Sequence, residues 1–446
     1  MTKNVLLIHH HWGTEYAPVG PLYIIDSLEQ AGYNVTFIDS RLPAGDVLKI
    51  VDEIQPLFVA QSVFTTPTIH KVVEVAQAIK ESTDVPIVWG GVHPTMLAEQ
   101  CLQEPFVDYV VKGSEGEDLI VQLAKDIEDG RNLNQRLRES PMFIRDLDRL
   151  QPAWHHVDSS KYLYKEEHSV RGQVEYSRNK VFYYMTTSRG CPFRCTFCYV
   201  TTVHKSTWRP HSVDWVKRQV QYLKDAYDID GIGFWDDFFL VDIRRALEIT
   251  KFLKEKDIGF LCESRATILT DSFMQKLKEN NCMQLFIGGE SGSPRTLKLI
   301  KKDLMPHDII RAAELGNKYN VPIRISFMFG IPGETVEDMM MTKDLVLKLL
   351  DYPNVSISGP KVYTPYPGTE SYNDAVRMGF VPPRDTLGWK DIHRTTNMQM
   401  LPWFKAELEK HGIAKEEIFL EIRDKEKEVG IRDKESWYTK LMAVHD

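Results

Sequence analysis

Three cysteines crowd into the stretch Gly190-Cys191-Pro192-Phe193-Arg194-Cys195-Thr196-Phe197-Cys198-Tyr199, spaced C-x3-C-x2-C. Three thiolates on one loop can hold three corners of a [4Fe-4S] cluster, for which thiolate is the usual ligand. The loop offers no fourth ligand, so one iron stays open, whereas a cluster that only carries electrons is normally closed by a fourth Cys. A zinc site and three unrelated core cysteines are the other readings of this spacing. Zinc sites usually pair two C-x2-C units, and the chain has no second pair.

The loop resembles the signature of the radical S-adenosylmethionine (SAM) superfamily, with Phe197 as the aromatic before the third Cys and Thr187-Ser188-Arg189-Gly190-Cys191-Pro192 as its entry. The resemblance implies that Cys191, Cys195 and Cys198 ligate the cluster and that the open iron chelates the amino and carboxylate groups of SAM. It also implies that reduction yields a 5′-deoxyadenosyl radical that takes hydrogen from the substrate. Spacing alone establishes a three-thiolate site.

The chain that must position this loop has 446 residues, enough for two to three domains. With 43% hydrophobic and 26% charged residues it reads as an ordinary globular protein. A net charge of −8 argues against a general nucleic-acid surface. Six cysteines do not make a disulfide scaffold at this length, which fits a reducing cytoplasm. Residues 1–5 run straight into a strand, so no signal peptide is expected. No apolar run approaches the roughly 20 residues of a membrane helix.

Residues 1–145 alternate short apolar strands (5–8, 35–39, 57–62, 86–89, 107–111) with helical patterns (21–31, 44–54, 68–80, 117–127). That alternation predicts an α/β domain with a parallel sheet covered on both faces. Ligands bind such sheets at the carboxyl ends of the strands. Three loops there carry glycines and hydroxyls suited to a large ligand with a polar tail. They hold Ser62, Thr65 and Thr66, then Gly90, Gly91, Val92 and His93, then Gly113, Glu115 and Gly116. Ahead of a radical SAM loop, this set resembles the cobalamin-binding Rossmann-like domain fused to many radical SAM enzymes, which implies that these residues contact cobalamin. One departure stands out. Where cobalamin mutases carry D-x-H-x-x-G, with a cobalt-ligating His, the aligned residues read Glu15-Tyr16-Ala17-Pro18-Val19-Gly20, and Ala17 cannot ligate. The run His9-His10-His11 just upstream is read as loop, with an imidazole ligand from it as the alternative.

Residues about 130–184 read as polar and irregular, with 146–182 as a linker whose first part resembles the connector between cobalamin and radical SAM domains. From 183 to 370, six strands (182–187, 231–235, 259–263, 283–288, 323–327, 355–358) alternate with five helical patterns. This reads as the partial (β/α)6 barrel of the radical SAM family, its site at the strand carboxyl ends. The resemblance implies that Asp236 or Asp237 receives the SAM ammonium, that Arg265 pairs with its carboxylate and that Glu290, followed by Ser291, binds ribose. It places Gly330, Ile331 and Pro332 in the adenine-contact motif. The piece 363–370 resembles the end of the barrel in the cobalamin branch. Asp236 and Glu290 have a plainer alternative as helix caps or turn residues. Cys101 and Cys282 read as core, Cys262 as core near the site. Residues 371–446 read as a small helical region whose aromatics are candidates to wall the substrate pocket.

The resemblance covers residues 1–370. It implies a cobalamin-dependent radical SAM methyltransferase that acts on an unactivated carbon through SAM and methylcobalamin, with an external one-electron reductant such as flavodoxin or ferredoxin. Cobalamin is expected between the sheet of 1–145 and the open barrel face, with no cobalt ligand from residues 15–20. Oxidative cyclisation with the same cofactors is the alternative enzyme reading, and a cobalamin sensor with a structural cluster the alternative outside catalysis. The substrate is not legible.

Overall fold

The computed structural model describes residues 3–10, 17–39, 42–65, 68–140, 142–158, 161–170, 174–392 and 401–430. The expectations at His11, Glu15, Tyr16, Thr66, Trp437 and Tyr438 lie outside the described residues. The chain forms two compact units, residues 1–162 with 382–393, and residues 163–381 with 394–446. No described helix is long and apolar enough to cross a membrane.

In the first unit, strands β1 (Asn4–His9), β2 (Asn34–Asp39), β3 (Val59–Ser62), β4 (Ile87–Gly90), β5 (Tyr109–Lys112) and β6 (Leu137–Glu139) lie in the order β2-β1-β3-β4-β5-β6. All neighbours are parallel. Val5, Leu6, Leu7 and Ile8 are all buried, as expected of a strand covered on both faces. The crossovers are α1 (Val19–Gln30), α2 (Ala44–Ile54), α3 (Ile69–Ser82), the short pair α4 (Val92–Met96) and α5 (Ala98–Gln103), and α6 (Gly116–Asp129). Ala17 is buried in the approach to α1. His10 is buried at the end of β1, where its Nε2 lies 3.3 Å from Gln61 Nε2, and Gln61 accepts from Trp89 Nε1 at 2.7 Å. His10 is thus held in a buried polar network rather than in an open loop.

Strand β6 has no apolar alternation and escaped the sequence reading. It is fixed by an ion pair, Arg138 to Asp126 of α6, in which both side chains are buried, and by Arg138 Nη2 donating to the Asn132 carbonyl at 3.0 Å.

The second unit opens with β7 (Leu163–Val170) and β8 (Val174–Met185), an antiparallel hairpin with Leu163 opposite Phe182 and Val170 opposite Val174. This corrects the expectation of irregular chain up to 184 and of a first barrel strand confined to 182–187. The hairpin is rich in charged and polar residues at both alternating positions, so no apolar period marks it. Next come β9 (Ser188–Arg189), α7 (Tyr199–His204) and β10 (Arg209–Pro210). They are followed by α8 (Val213–Tyr227), β11 (Gly231–Phe234), α9 (Ile243–Glu255), β12 (Gly259–Ser264), α10 (Asp271–Glu279) and β13 (Cys282–Glu290). The chain continues through α11 (Pro294–Leu299), α12 (Pro306–Tyr319), β14 (Ile323–Phe329), α13 (Val336–Leu349), β15 (Val355–Val362) and α14 (Glu370–Arg377). The sheet order is β15-β14-β13-β12-β11-β8-β7, so six parallel strands form the partial barrel and β7 adds an antiparallel edge. Helix starts follow local chemistry: Ser212, Thr270 and Thr335 each accept the N–H three residues on, and Asp242 accepts from Arg244 and Arg245. The tail divides. Residues 382–393 belong to the first unit, where Trp389 donates to Gln100 at 2.8 Å. Helices α15 (Pro402–His411) and α16 (Lys415–Glu428) belong to the second, with Phe419 edge-on to Phe329 and Lys343 of α13 paired with Glu421.

Removing one partner of a buried ion pair strands the other charge, so Arg138→Met should destabilise the protein by about 3–5 kcal/mol. The urea midpoint of the first unit's transition reads this; an unchanged midpoint would show that β6 does not depend on the pair.

Candidate active site

The cluster loop is aimed by two carboxylates from the turn after β11. Asp236 is buried and accepts from the backbone N–H groups of Thr187 and Ser188 and from both their hydroxyls. Burial pushes its carboxyl above the ordinary range, while Arg245 and these donors pull the other way. Arg245 in turn donates to the Thr187 carbonyl at 2.8 Å and the His211 carbonyl at 3.1 Å. Asp237 accepts from Gly190 N at 2.9 Å. Gly190 has φ +84°, and a Cβ there would strike the Thr207 carbonyl oxygen. Of the pair expected to offer a contact to the SAM ammonium, Asp237 uses only Oδ2 in the hydrogen bond from Gly190. Both oxygens of Asp236 are taken by the loop, and the pair holds the loop's entry.

Cys191, Cys195 and Cys198 are all free thiols, Cys195 buried and the others half-buried. Burial pushes the Cys191 thiol up from its usual range. Around them stands a cationic rim. The Arg265 guanidinium lies 3.5 Å above the Phe193 ring, donates to the Lys302 carbonyl and has Nη1 4.0 Å from Cys195 Sγ. Its Nε is buried with no hydrogen-bond partner among the described residues. Lys302 Nζ sits 5.7 Å from the Phe197 ring and donates to Glu290 at 2.8 Å, with both side chains almost fully buried. Burial opposes the charge on Lys302, but Glu290 and Cys195 outweigh it and its pKa rises. Glu290 was expected at a ribose; here it closes β13 at φ +64° with its carboxylate on Lys302.

The turn after β13 is tied to α13. Ser291 Oγ lies 3.0 Å from Thr342 Oγ1, and Ser293 donates to Asp338. After β14, Gly330 adopts φ +78°, and the N–H groups of Gly330 and Ile331 donate to Glu334 at 2.7 and 3.2 Å. Ile331 and Pro332 are buried. Trp403 Nε1 donates to the Gly330 carbonyl at 2.9 Å, and the Phe404 ring would be 3.2 Å from a Cβ on Gly330. The tail helix α15 thus covers the motif expected to contact adenine.

In the first unit the three expected ligand loops follow adjacent strands β3, β4 and β5. Val63 N donates to Gly90 at 2.8 Å, and His93 N to Val63 at 3.1 Å. Gly91 has φ +100°, and a Cβ there would be 2.9 Å from the Val63 carbonyl oxygen, with Ser62 Oγ at 3.5 Å. Val92 opens α4, half-buried. Thr65 Oγ1 lies 2.9 Å from His93 Nδ1. His93 is fully buried, its ring edge-on to Trp389 at 6.0 Å, and its Nε2 has no partner among the described residues. Burial pushes His93 down to about 3, so it is neutral. Gly113 has φ +114° and donates to Thr95 Oγ1 at 3.0 Å. Glu115 accepts from Ser114 Oγ at 2.8 Å and Ile144 N at 2.9 Å. Gly116 gives room to Ile24 of α1.

These residues fit the implied groups. Three free thiols on one loop suit an iron–sulfur cluster with an open iron. The orphaned Arg265 Nε suits a carboxylate. The orphaned His93 Nε2 beside loops that admit no side chain at Gly91 suits a bulky polar ligand. Lys302 carries a part of the site that the sequence reading did not assign, whereas Glu334 lies within the stretch 328–334 read as the adenine-contact motif and Trp403 among the tail aromatics. Lys302 looks like a member of the charged run Lys301-Lys302-Asp303, and Trp403 lies in a tail without motifs.

Residues 185–346 match the model of the radical SAM superfamily, and residues 6–124 match that of the B12 binding domain. An uncharacterised methyltransferase of Pyrococcus horikoshii is 30% identical over 416 residues, covering 89% of this chain and 85% of that protein. The anaerobic magnesium-protoporphyrin IX monomethyl ester cyclase of Rubrivivax gelatinosus is 26% identical over 409 residues, 83% of this chain and 70% of that one. The fold is similar to that of the radical SAM methyltransferase TsrM from Kitasatospora setae, with a TM-score of 0.65 at 20% identity, covering 85% of this chain and 77% of that one.

Two outcomes follow from the geometry. Asp236→Asn turns one acceptor oxygen into a donor facing donors, a loss of about 1.5–3 kcal/mol in the loop entry, so iron per chain after anaerobic reconstitution should fall. Full iron retention would show that the carboxylate does not aim the loop. The second concerns Glu334, whose carboxyl burial pushes up from 4.5 to about 8; Asp338 adds to the rise, while the Gly330 and Ile331 N–H groups and Arg295 oppose it. Between these values the folded chain keeps a proton that the unfolded chain releases. Its contribution is therefore complete below about pH 4.5 and is lost as pH rises towards about 8. Glu334→Gln should flatten the fall of the urea midpoint over that window; parallel slopes in both proteins would count against a protonated Glu334.

Proposed function

Because the chain belongs to the cobalamin-dependent radical SAM family, we propose that it transfers a methyl group to an unactivated carbon of its substrate. Its cofactors are a [4Fe-4S] cluster, SAM and cobalamin. Bound together, they supply one-electron cleavage of a carbon–sulfur bond and a carrier for the methyl group. The observation that carries the reading is one chain holding both the three-thiolate loop with its cationic rim and the tied ligand loops of β3, β4 and β5.

In this reading Cys191, Cys195 and Cys198 hold three irons. Arg265 offers its orphaned Nε to the SAM carboxylate, and the stack on Phe193 keeps the guanidinium plane fixed. Lys302, paired with Glu290, stands beside Cys195, whose neighbourhood helps to keep the ammonium charged. Trp403 and Phe404 cover the Gly330 turn and exclude water from the adenine end. Gly91 and Gly113 let cobalamin approach the backbone, with Ser62, Thr65 and His93 as its polar contacts. An inert C–H bond suits radical chemistry, because no side-chain base could deprotonate it near neutral pH. An external one-electron donor of the flavodoxin or ferredoxin kind completes the reaction.

The likeness to the cyclase favours a second reading, oxidative cyclisation with the same cofactors. Incubation with SAM and dithionite, with cell extract as the source of substrate, separates the two. Methyl transfer should yield both 5′-deoxyadenosine and S-adenosylhomocysteine, and replacing Cys191, Cys195 and Cys198 by Ala should abolish the former. 5′-Deoxyadenosine without S-adenosylhomocysteine would point to cyclisation, and neither product to a sensor.

A further inference from the structure

In the first unit, three side chains outside the cofactor loops have the chemistry of a metal ligand set. Glu29 stands in the last turn of α1, and His155 and His156 lie on a 3-10 turn over Trp154–His156. His156 Nε2 lies 2.7 Å from Glu29 Oε1, and His155 Nε2 lies 3.2 Å from Glu29 Oε2. The ligand atoms of all three residues fall within 4.8 Å of one another. In an extended chain adjacent side chains point to opposite faces. The turn instead brings both Nε2 atoms to one carboxylate, with the ring centroids 4.5 Å apart.

The frame is fixed without a ligand. Trp154 and Val157, on either side of the histidine pair, are buried. His156 N donates to the Ala153 carbonyl at 3.1 Å, and Ala153 N donates to the Leu22 carbonyl of α1 at 3.1 Å. Phe37 of β2 meets the His156 ring edge-on at 6.4 Å. The side chains are 63% exposed at His155, 30% at Glu29 and 18% at His156, so an ion reaches the trio from the His155 side.

Hydrogen bonds alone satisfy this arrangement poorly. Two imidazolium rings so close would repel, and one carboxylate balances one charge. A divalent cation at the point of convergence satisfies all three groups together. Each ring then turns an Nε2 lone pair to the ion and carries its proton on Nδ1. Tetrahedral zinc, with bonds of about 2.0–2.2 Å, sets its ligand atoms about 3.3–3.6 Å apart. That spacing lies between the shortest separation here, 2.7 Å, and the 4.8 Å that bounds the set. Two imidazoles and a carboxylate suit a borderline cation such as zinc. Asp26, one turn earlier on α1, is in electrostatic reach of Glu29 and His155, while its Oδ2 accepts from Gln30. Glu337, Glu407 and His411 also converge, but they bring a single imidazole and share Glu407 with Lys410.

We propose that Glu29, His155 and His156 bind one divalent cation of the zinc class, with water in the remaining position, and that the ion pins the turn of residues 153–157 to α1. The site shares no residue with those assigned to cluster, SAM or cobalamin, and it stands whether or not the chain transfers a methyl group.

The test titrates zinc chloride by calorimetry into the full chain after anaerobic reconstitution, so that iron already occupies Cys191, Cys195 and Cys198. One zinc per chain should bind, with a Kd of about 1 μM or tighter. Zinc K-edge absorption should show a shell of nitrogen and oxygen at about 2.0–2.2 Å and no sulfur at about 2.3 Å. Glu29→Gln, His155→Gln and His156→Gln should each weaken binding by at least about tenfold, the lower end of what loss of even an outer partner costs a metal site. His411→Gln should bind like the parent. Excess zinc should raise the urea midpoint of the first unit in the parent, because an ion that binds only the folded chain stabilises it. The same zinc should leave the midpoint of the His155→Gln, His156→Gln double variant unchanged. Circular dichroism and iron content check each variant, and the exposed His155 carries the comparison if His156→Gln fails to fold. The proposal is overturned if no stoichiometric zinc binds, if the zinc shell contains sulfur, or if zinc leaves the parent midpoint where it was. It is equally overturned if folded variants at Glu29 and His155 bind like the parent, or if His411→Gln is the variant that loses zinc.

Discussion

One buried carboxylate carries the geometry of the cluster loop. Asp236 takes hydrogen bonds from two peptide N–H groups and two hydroxyls of Thr187 and Ser188, and Arg245 braces the same stretch through the Thr187 carbonyl. A carboxylate out of water is tolerated only when its oxygens are hydrogen-bonded, so the loop's entry has one arrangement that satisfies it. The sharp turn at Gly190 follows, and with it the direction in which three thiols leave the backbone. The resemblance implies a SAM contact at Asp236 or Asp237; in the structure both oxygens of Asp236 and one of Asp237 hold the loop's entry.

The second constraint is electrostatic. A cluster with thiolate ligands would be a concentration of negative charge, and the three thiols stand where Arg265 and Lys302 are both nearly withdrawn from solvent. Each cation is held by something other than the cluster: Arg265 by the Phe193 ring and the Lys302 carbonyl, Lys302 by Glu290. The rim therefore exists before any group binds, which is what preorganisation requires. The left-handed φ at Glu290 belongs to the same arrangement, because a non-glycine residue keeps it only where its surroundings fix it.

The first unit solves a different problem, again with parallel strands joined by helical crossovers but in another strand order. Loops far apart in sequence become neighbours because β3, β4 and β5 are adjacent and parallel, and hydrogen bonds from Val63 to Gly90, His93 to Val63 and Gly113 to Thr95 bind the three into one surface. His93 beside that surface is neutral and buried, and its Nε2 has no partner among the described residues.

Much of this was written locally in the chain. Cys191, Cys195 and Cys198 lie within eight residues, so their convergence depends on one turn, and the strand–helix alternation of both units shows in apolar period and capping residues such as Ser212 and Thr335. The glycine loops were legible because positive φ and close backbone approach select glycine. The polar hairpin β7–β8 and strand β6 were not, since a strand stabilised by its neighbours' hydrogen bonds and by a pair such as Arg138–Asp126 needs no apolar alternation. Nor were the partners of Asp236 or the pairing of Lys302 with Glu290. The sequence by itself determined which chemical groups the protein owns and which local turns present them. Tertiary structure decided which of those groups meet, because the register between parallel strands joined by long crossovers is set by packing across the whole sheet and leaves no mark at any single position.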